Sequence, residues 1–168
     1  IAERLLKQKI DLSLIALGKR REKLKSEGLT VNGVKHYVRI AEESDPAPDL
    51  LFVCVKNYDL EQSLKDINKF IDSHTMILPL LNSISPTPTI QKKYPDNHVL
   101  YGFIQKIDAY REGNGYKYNI AGDIHFGDAI NEGYNLALMP IREMLSKSGF
   151  SVTIDKDMIR GVWKKWML

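Results

Sequence analysis

The chain has 168 residues and a formal net charge of +3, and 43% of its residues are hydrophobic and 27% charged. This composition excludes a disordered tail, and the longest apolar run, residues 76–81, is far shorter than the roughly 18 residues of a membrane span. The small basic excess does not indicate nucleic-acid binding, so we expect one soluble, cytoplasmic domain that binds neither membranes nor nucleic acid.

The first half of the chain alternates between helical and extended patterns. It predicts, in order, a helix at 1–8, a strand at 11–16, a basic helix at 19–26, a hairpin across 29–38, a loop at 41–48, a strand at 50–55, a helix at 58–71 and a strand at 75–81. Asn32-Gly33 is the strongest short signal for a hairpin turn. The continuous apolar runs at 50–55 and 75–81 are typical of strands buried on both faces of a parallel sheet.

The second half continues the alternation. It predicts a short helix at 89–94, a strand at 99–107, a turn at 113–115, strands at 116–120 and 123–126, a helix at 135–147 bent by Pro140, a strand at 151–154 and a final helix at 159–168 that Asp157 caps. Strands that alternate with helices predict an α/β fold with a mainly parallel sheet. Because both ends of the chain have helical patterns without caps, we expect a piece of a larger protein.

Polar residues follow two of the apolar strands. Lys56 comes directly after the run at 50–55, and Asn82 comes directly after residue 81. In open parallel sheets, ligands bind beyond the carboxyl ends of the strands, so both residues are candidates for a binding site. A solvated strand-end lysine and a plain Asn turn are the alternative interpretations.

Two basic segments are further candidates. Lys19, Arg20 and Arg21 follow Gly18 after the second predicted element, where a dinucleotide fold places the adenosine ribose, and they suit a 2′-phosphate; a solvated helix start is the alternative. Trp163-Lys-Lys-Trp166 predicts either a packed Trp face with two solvated lysines or one lysine that points into a cleft.

Cysteine and histidine chemistry is not indicated. The single cysteine, Cys54, lies in an apolar run and is expected to be a small core residue. It allows no disulfide within the chain, and four histidines without ligand spacing predict no metal site.

Several segments, taken in order along the chain, resemble the 2-dehydropantoate 2-reductase (ketopantoate reductase) family. The resembling segments are Leu14-Ile-Ala-Leu-Gly, Leu24-Lys-Ser-Glu-Gly-Leu-Thr-Val, Asp49-Leu-Leu-Phe-Val-Cys-Val-Lys, Leu78-Pro-Leu-Leu-Asn, Ile124-His-Phe-Gly and Ile159-Arg-Gly-Val-Trp-Lys-Lys. The strand ending in Val-Lys, the strand ending in Leu-Asn and the terminal Trp-x-Lys are specific only in combination.

The resemblance implies a Rossmann-type NADPH-binding domain over residues 1–155, without its first strand and glycine-rich turn. Residues 156–168 would begin an all-helical substrate domain, through which the family would form a homodimer. The implied reaction is hydride transfer from NADPH to a small 2-oxoacid, ketopantoate. The alternatives are a paralogous reductase that has the same machinery but acts on another 2-oxoacid, and a non-catalytic dinucleotide-binding scaffold.

The resemblance also implies roles for individual residues. Lys165 matches the lysine that binds the substrate and protonates its carbonyl oxygen, Asn82 would contact both substrate and cofactor, and Lys56 would lie by the cofactor. The stretch at Ile120 would be a further cofactor contact, made by the backbone. Leu17 stands where the family often has arginine, which leaves Lys19 or Arg20 for the 2′-phosphate. Ser83 stands where the family usually has glycine.

Overall fold

The computed structural model describes residues 1–84, 86–113 and 115–167. Its first half contains α1 (Ala2–Lys7), β1 (Ser13–Leu14), α2 (Gly18–Glu27), β2 (Leu29–Val31), β3 (Val34–His36), β4 (Arg39–Ile40), β5 (Leu50–Val53), α3 (Leu60–Asp66) between the 3₁₀ turns Asn57–Asp59 and Ile67–Lys69, and β6 (Met76–Pro79). The second half contains α4 (Pro86–Lys93), β7 (Tyr101–Ile107), β8 (Tyr110–Glu112), β9 (Gly115–Lys117), β10 (Ala121–Gly127), α5 (Met139–Lys147), β11 (Ser151–Thr153) and α6 (Met158–Met167).

The strands combine parallel and antiparallel pairs. Strands β5 and β6 are parallel, as are β1 with β4 and β10 with β11, whereas β10 runs antiparallel to β7. A parallel bridge between Ile77 and Val99, with the Leu100 N–H donating to the Ile77 carbonyl at 2.9 Å, places the start of β7 beside β6. The predicted α/β fold is confirmed, with mixed as well as parallel pairing.

A separate four-stranded sheet in the order β3-β2-β9-β8 contains the predicted hairpin. Strands β2 and β3 pair from Leu29↔His36 to Val31↔Val34 around Asn32 and Gly33, which both have positive φ. The strand β8 was not predicted. Asn114 of the predicted 113–115 turn, Ser85 beside the strand-end Asn82 and the final residue, Leu168, lie outside the described residues.

Two apolar clusters cover the strands. One contains Leu78, Leu100, Ile124 and Phe126, which are fully buried, and the other gathers the α3 and α4 side chains around Ile77. A third and smaller cluster joins Phe103 on β7 to Met158 and Val162 on α6. This third cluster fixes α6 against the sheet and so determines where the end of that helix lies.

Three details of the sequence prediction are wrong. Strand β5 ends at Val53 and its other three residues are only partly buried, so it is not covered on both faces, and Cys54 is exposed rather than in the core. The helix predicted at 135–147 begins at Met139, where Pro140 lies in the first turn and bends nothing. Proline is tolerated there because the first N–H groups of a helix have no partner within it.

No helix in the described part of the chain is long and apolar enough to cross a membrane.

Candidate active site

The helix α6 brings its last turn to the carboxyl edge of the parallel strands. Asp157 caps the helix by accepting the Arg160 N–H at 2.8 Å, and the Met158 N–H donates to the Ala129 carbonyl at 3.0 Å. Met158, Val162 and Lys165 follow one another at helical spacing, so they share the face that packs on β7. Gly161 directly precedes Val162 in α6, and a Cβ added to it would lie 3.2 Å from Phe103 Cε1.

At the end of this face, Lys165 contacts the strand edge. Its Nζ donates a hydrogen bond to Asn82 Oδ1 at 2.7 Å and lies 5.9 Å from the centre of the Phe103 ring. The side chain is partly buried, and desolvation lowers the pKa of the Lys165 amine below its ordinary value. Its hydrogen-bond acceptor is a neutral amide, which does not hold the proton as a carboxylate would.

The structure decides between the two interpretations of the Trp-Lys-Lys-Trp segment. Trp163 and Trp166 are about half exposed, at 49% and 48%, and Lys164 is also exposed, so a packed Trp face with two solvated lysines is wrong. Lys165 is the lysine that points along the buried side. Its place on the Met158–Val162 stripe is the sequence signal that distinguishes it from Lys164.

Lys56 lies at the same edge as Asn82. Strands β5 and β6 pair in parallel register up to Val53↔Pro79, and each of the two residues follows its strand at the same distance along the chain. Lys56 is exposed and precedes the 3₁₀ turn whose Asp59 N–H donates to the Lys56 carbonyl at 2.9 Å. Among the described residues Lys56 has no ion-pair partner, so this strand edge presents a cation as well as the Asn82–Lys165 pair.

The basic segment of α2 has two different parts. Arg21 forms an ion pair with Glu42 and donates to the Ala41 carbonyl at 3.3 Å. Lys19 and Arg20, in the first turn, are exposed, and within the described residues neither has an ion-pair partner. Two cations at a helix N-terminus, without ion-pair partners among the described residues, can donate hydrogen bonds to an anionic group.

Ile120 lies apart from these residues in a tight connection before β10. Its side chain is 57% exposed, and its N–H donates to Asp108 Oδ1 at 2.8 Å, as does the N–H of Asn119. The Ile120 hydrogen bond is the largest of the causes that lower the pKa of Asp108. The backbone N–H predicted to contact a cofactor is thus engaged within the chain, and the role of Ile120 stays a prediction.

A cluster below Lys165 was missed by the sequence analysis. His125 stacks on Phe103, with the ring centres 4.6 Å apart and the planes 8° from parallel, and its Nδ1 lies 2.7 Å from Asp155 Oδ2. Its Nε2 lies 2.8 Å from the Gln105 amide nitrogen. The available signal was that Gln105 and His125 are polar residues within the largely apolar strands β7 and β10. The register that pairs Phe103 with His125, however, cannot be read from the sequence of either strand alone.

Comparisons with known proteins identify a family and several relatives of this chain. The family model described as ketopantoate reductase PanE/ApbA matches residues 1–131. A 2-dehydropantoate 2-reductase of Lactococcus lactis subsp. lactis (strain IL1403) is 30% identical over 119 residues, which are 70% of this chain and 37% of that protein.

Solved structures of similar fold cover nearly the whole chain. The crystal structure of 2-dehydropantoate 2-reductase from Geobacter metallireducens GS-15 has a TM-score of 0.82 at 19% identity, over 97% of this chain and 56% of that one. A complex of D-mandelate dehydrogenase with NADH has a TM-score of 0.79 at 26% identity, over 97% of this chain and 53% of that one. The chain spans less than two thirds of the length of each of these relatives.

Proposed function

The chain belongs to the ketopantoate reductase family of oxidoreductases, and on this basis we propose that it is the dinucleotide-binding part of an NADPH-dependent 2-dehydropantoate 2-reductase. The proposed reaction reduces ketopantoate to pantoate, a step of pantothenate and coenzyme A synthesis. The Lys165–Asn82 contact carries the proposal, because it places a partly desolvated amine and a neutral amide at the carboxyl edge of parallel strands. The family-model match ends before α6, so the role of Lys165 is supported by this geometry.

We propose Lys165 as the proton donor and a substrate ligand. NADPH, when bound, supplies the hydride that reduces the 2-oxo carbon. Negative charge then develops on the carbonyl oxygen, and an ammonium group stabilises it and gives up its proton. Desolvation eases this transfer because it lowers the pKa of the Lys165 amine towards working pH. Asn82 uses its Oδ1 to hold Lys165, and we assign its amide N–H donors to substrate and cofactor.

The chain's own donors fit a phosphorylated dinucleotide. Lys19 and Arg20 are exposed at the start of α2 and uncommitted within the described residues, which suits the 2′-phosphate of NADPH. Lys56 and the Ile120 segment are proposed as further cofactor contacts. The sequence contains no Gly-x-Gly-x-x-Gly, so this chain offers no glycine-rich turn of that pattern for the pyrophosphate.

We further propose residues 1–155 as the dinucleotide-binding domain and 156–168 as the start of a helical domain that completes the cleft and forms a homodimer. The exposed Ile159, Trp163 and Met167 of α6 support a covering domain on that side. A cytoplasmic location is part of the same proposal.

A specific observation favours a second candidate function. The 26% identity to D-mandelate dehydrogenase lies above the 19% identity to the Geobacter reductase and below the 30% identity to the Lactococcus reductase, so the chain is also similar to an enzyme that is named for another substrate and was solved with NADH. The second candidate is therefore a reductase of another 2-oxoacid with the same Lys165 and Asn82.

A panel of 2-oxoacids, assayed with both nicotinamide nucleotides, tests these proposals. The protein that contains this chain at its full natural length should oxidise NADPH when ketopantoate is added. Faster turnover of benzoylformate, the 2-oxoacid that corresponds to mandelate, would replace the first proposal with the second. Tight NADPH binding with no turnover of any 2-oxoacid would contradict both and favour a non-catalytic scaffold.

A further inference from the structure

Below Lys165, two aromatic rings form an ordered stack. Phe103 on β7 and His125 on β10 are direct cross-strand partners, and their rings stack almost in parallel with centres 4.6 Å apart. The Lys165 ammonium lies within cation–π range of the Phe103 ring, at 5.9 Å. Phe103 is 5% exposed, so its ring is a fixed part of the interior.

The imidazole of His125 is held at both of its nitrogens. With Nδ1–H donating to Asp155 Oδ2 at 2.7 Å, Nε2 accepts a hydrogen bond from the Gln105 amide at 2.8 Å. The His125 side chain is only 14% exposed. A ring bonded at both edges and stacked on one face does not rotate freely, so it also restrains the ring on which it stacks.

Asp155 links this stack to the helix that carries Lys165. Its backbone carbonyl accepts a hydrogen bond from Asn131 Nδ2 at 2.8 Å, and Asp157, which caps α6, follows two residues later. An added Cβ on Gly161 of α6 would lie 3.2 Å from Phe103 and 3.4 Å from Asp155 Oδ2. The helix therefore rests directly on the ring and on the carboxylate that fixes His125.

We propose that Phe103 and His125 are positioning residues for Lys165: the imidazole, fixed by Asp155 and Gln105, holds the phenyl ring in place, and the ring holds the ammonium against Asn82. His125 touches neither Lys165 nor Asn82 in this arrangement and acts through Phe103. The catalytic meaning of this stack rests on the proposed function of Lys165. The effect of the stack on the position and the pKa of Lys165 does not depend on that function.

The test is the pKa of Lys165, measured by NMR on ¹³C-methylated lysine side chains and assigned with Lys165→Arg. Phe103→Leu keeps apolar cover but removes the ring face, so the Lys165 pKa should fall by about half a unit. His125→Leu should shift the pKa in the same direction by a smaller amount. In the double variant, His125→Leu should add nothing to Phe103→Leu, because its effect passes through the ring.

His98→Leu is the matched control. His98 has its own carboxylate partner, with Nε2 2.6 Å from Asp128 Oδ1, but no described ring contact with Phe103 or Lys165. It should leave the Lys165 pKa unchanged. An unchanged pKa in both Phe103→Leu and His125→Leu, or an equal effect of His125→Leu with and without Phe103, overturns the proposal.

Two further readouts keep the outcomes separate. In the unmutated chain, an NOE between the Lys165 ε-methylene and the Phe103 ring is expected, and its absence overturns the proposal even if a variant fails to fold. In the full-length protein, His125→Leu should lower kcat several-fold with little change in KM, and His125→Phe, which keeps a stacking ring but loses both hydrogen bonds, should restore kcat only in part. If Lys165→Ala keeps normal turnover, the proposed function fails while the pKa results still decide this inference.

Discussion

The two ends of the proposed cleft hold their cations in opposite ways. At the α6 end, Lys165 is partly buried, hydrogen-bonded to Asn82 and set over Phe103. At the α2 end, Lys19 and Arg20 are exposed and have no ion-pair partner among the described residues.

This difference corresponds to the two tasks that we propose for these cations. A proton donor works best when its pKa is lowered towards working pH and its position is fixed, which requires burial and a defined acceptor. A phosphate ligand works best when it keeps its full charge and reaches its anion without first breaking another ion pair. Solvent exposure is therefore a defect in the first case and an advantage in the second.

Replacing Lys165 should have the largest effect. Lys165→Met keeps the apolar stem and removes the ammonium, so kcat in the full-length protein should fall by about 10²- to 10⁴-fold. Lys164→Met, one residue earlier and exposed, is the matched control and should keep native kcat. Steady-state kinetics with saturating NADPH measures both. Equal losses in the two variants would remove the distinction between a buried and a solvated lysine on α6.

Replacing the α2 cations should change binding instead of chemistry. Lys19→Ala with Arg20→Ala should weaken NADPH binding about tenfold or more, because charge-assisted hydrogen bonds to the 2′-phosphate are lost, and should leave NADH binding nearly unchanged. Titration of nucleotide fluorescence measures both constants. Arg21→Ala is the control, since this guanidinium is already paired with Glu42, and it should not alter the NADPH-to-NADH ratio. An equal loss for both nucleotides would contradict the assignment.

Substitution at Gly161 sharpens the comparison from the helix side. Gly161→Ala gains up to about 1 kcal/mol of helix propensity, so the chain should remain folded. The added Cβ nevertheless meets Phe103 at 3.2 Å, so α6 or the ring must move by a few tenths of an ångström. We expect kcat to fall by roughly tenfold, because small misplacements of a reacting group are costly. If Gly161→Ala keeps the native kcat and the native denaturation midpoint, the close contact between Gly161 and Phe103 does not affect function.

Much of the fold was predictable because local patterns determine it. The hairpin at Asn32-Gly33 follows from turn chemistry, and the apolar runs that became β5 and β6 follow from their composition. Cys54 was misplaced because an apolar run does not reveal where hydrogen-bonded pairing stops, and β5 stops one residue before it.

The candidate site was predictable only in part. Asn82 and Lys165 could be named from strand-end position and family resemblance, and the helical spacing from Met158 and Val162, which separates Lys165 from Lys164, was a further signal that the prediction did not use. The Phe103–His125–Asp155 cluster was not predictable, since it depends on the register of β7 and β10 and on the return of the chain at β11. Such contacts between distant segments leave no local pattern in any one of them.

The pH dependence of kcat in the full-length protein tests the central claim most directly. A lysine proton donor must be protonated, so kcat should fall as the pH rises through the Lys165 pKa, at a midpoint below the ordinary lysine value of about 10.4. Asn82→Asp places a carboxylate beside the amine, which favours the charged form, so the midpoint should move to higher pH. The same midpoint in the native protein and in Asn82→Asp would contradict Lys165 as the proton donor.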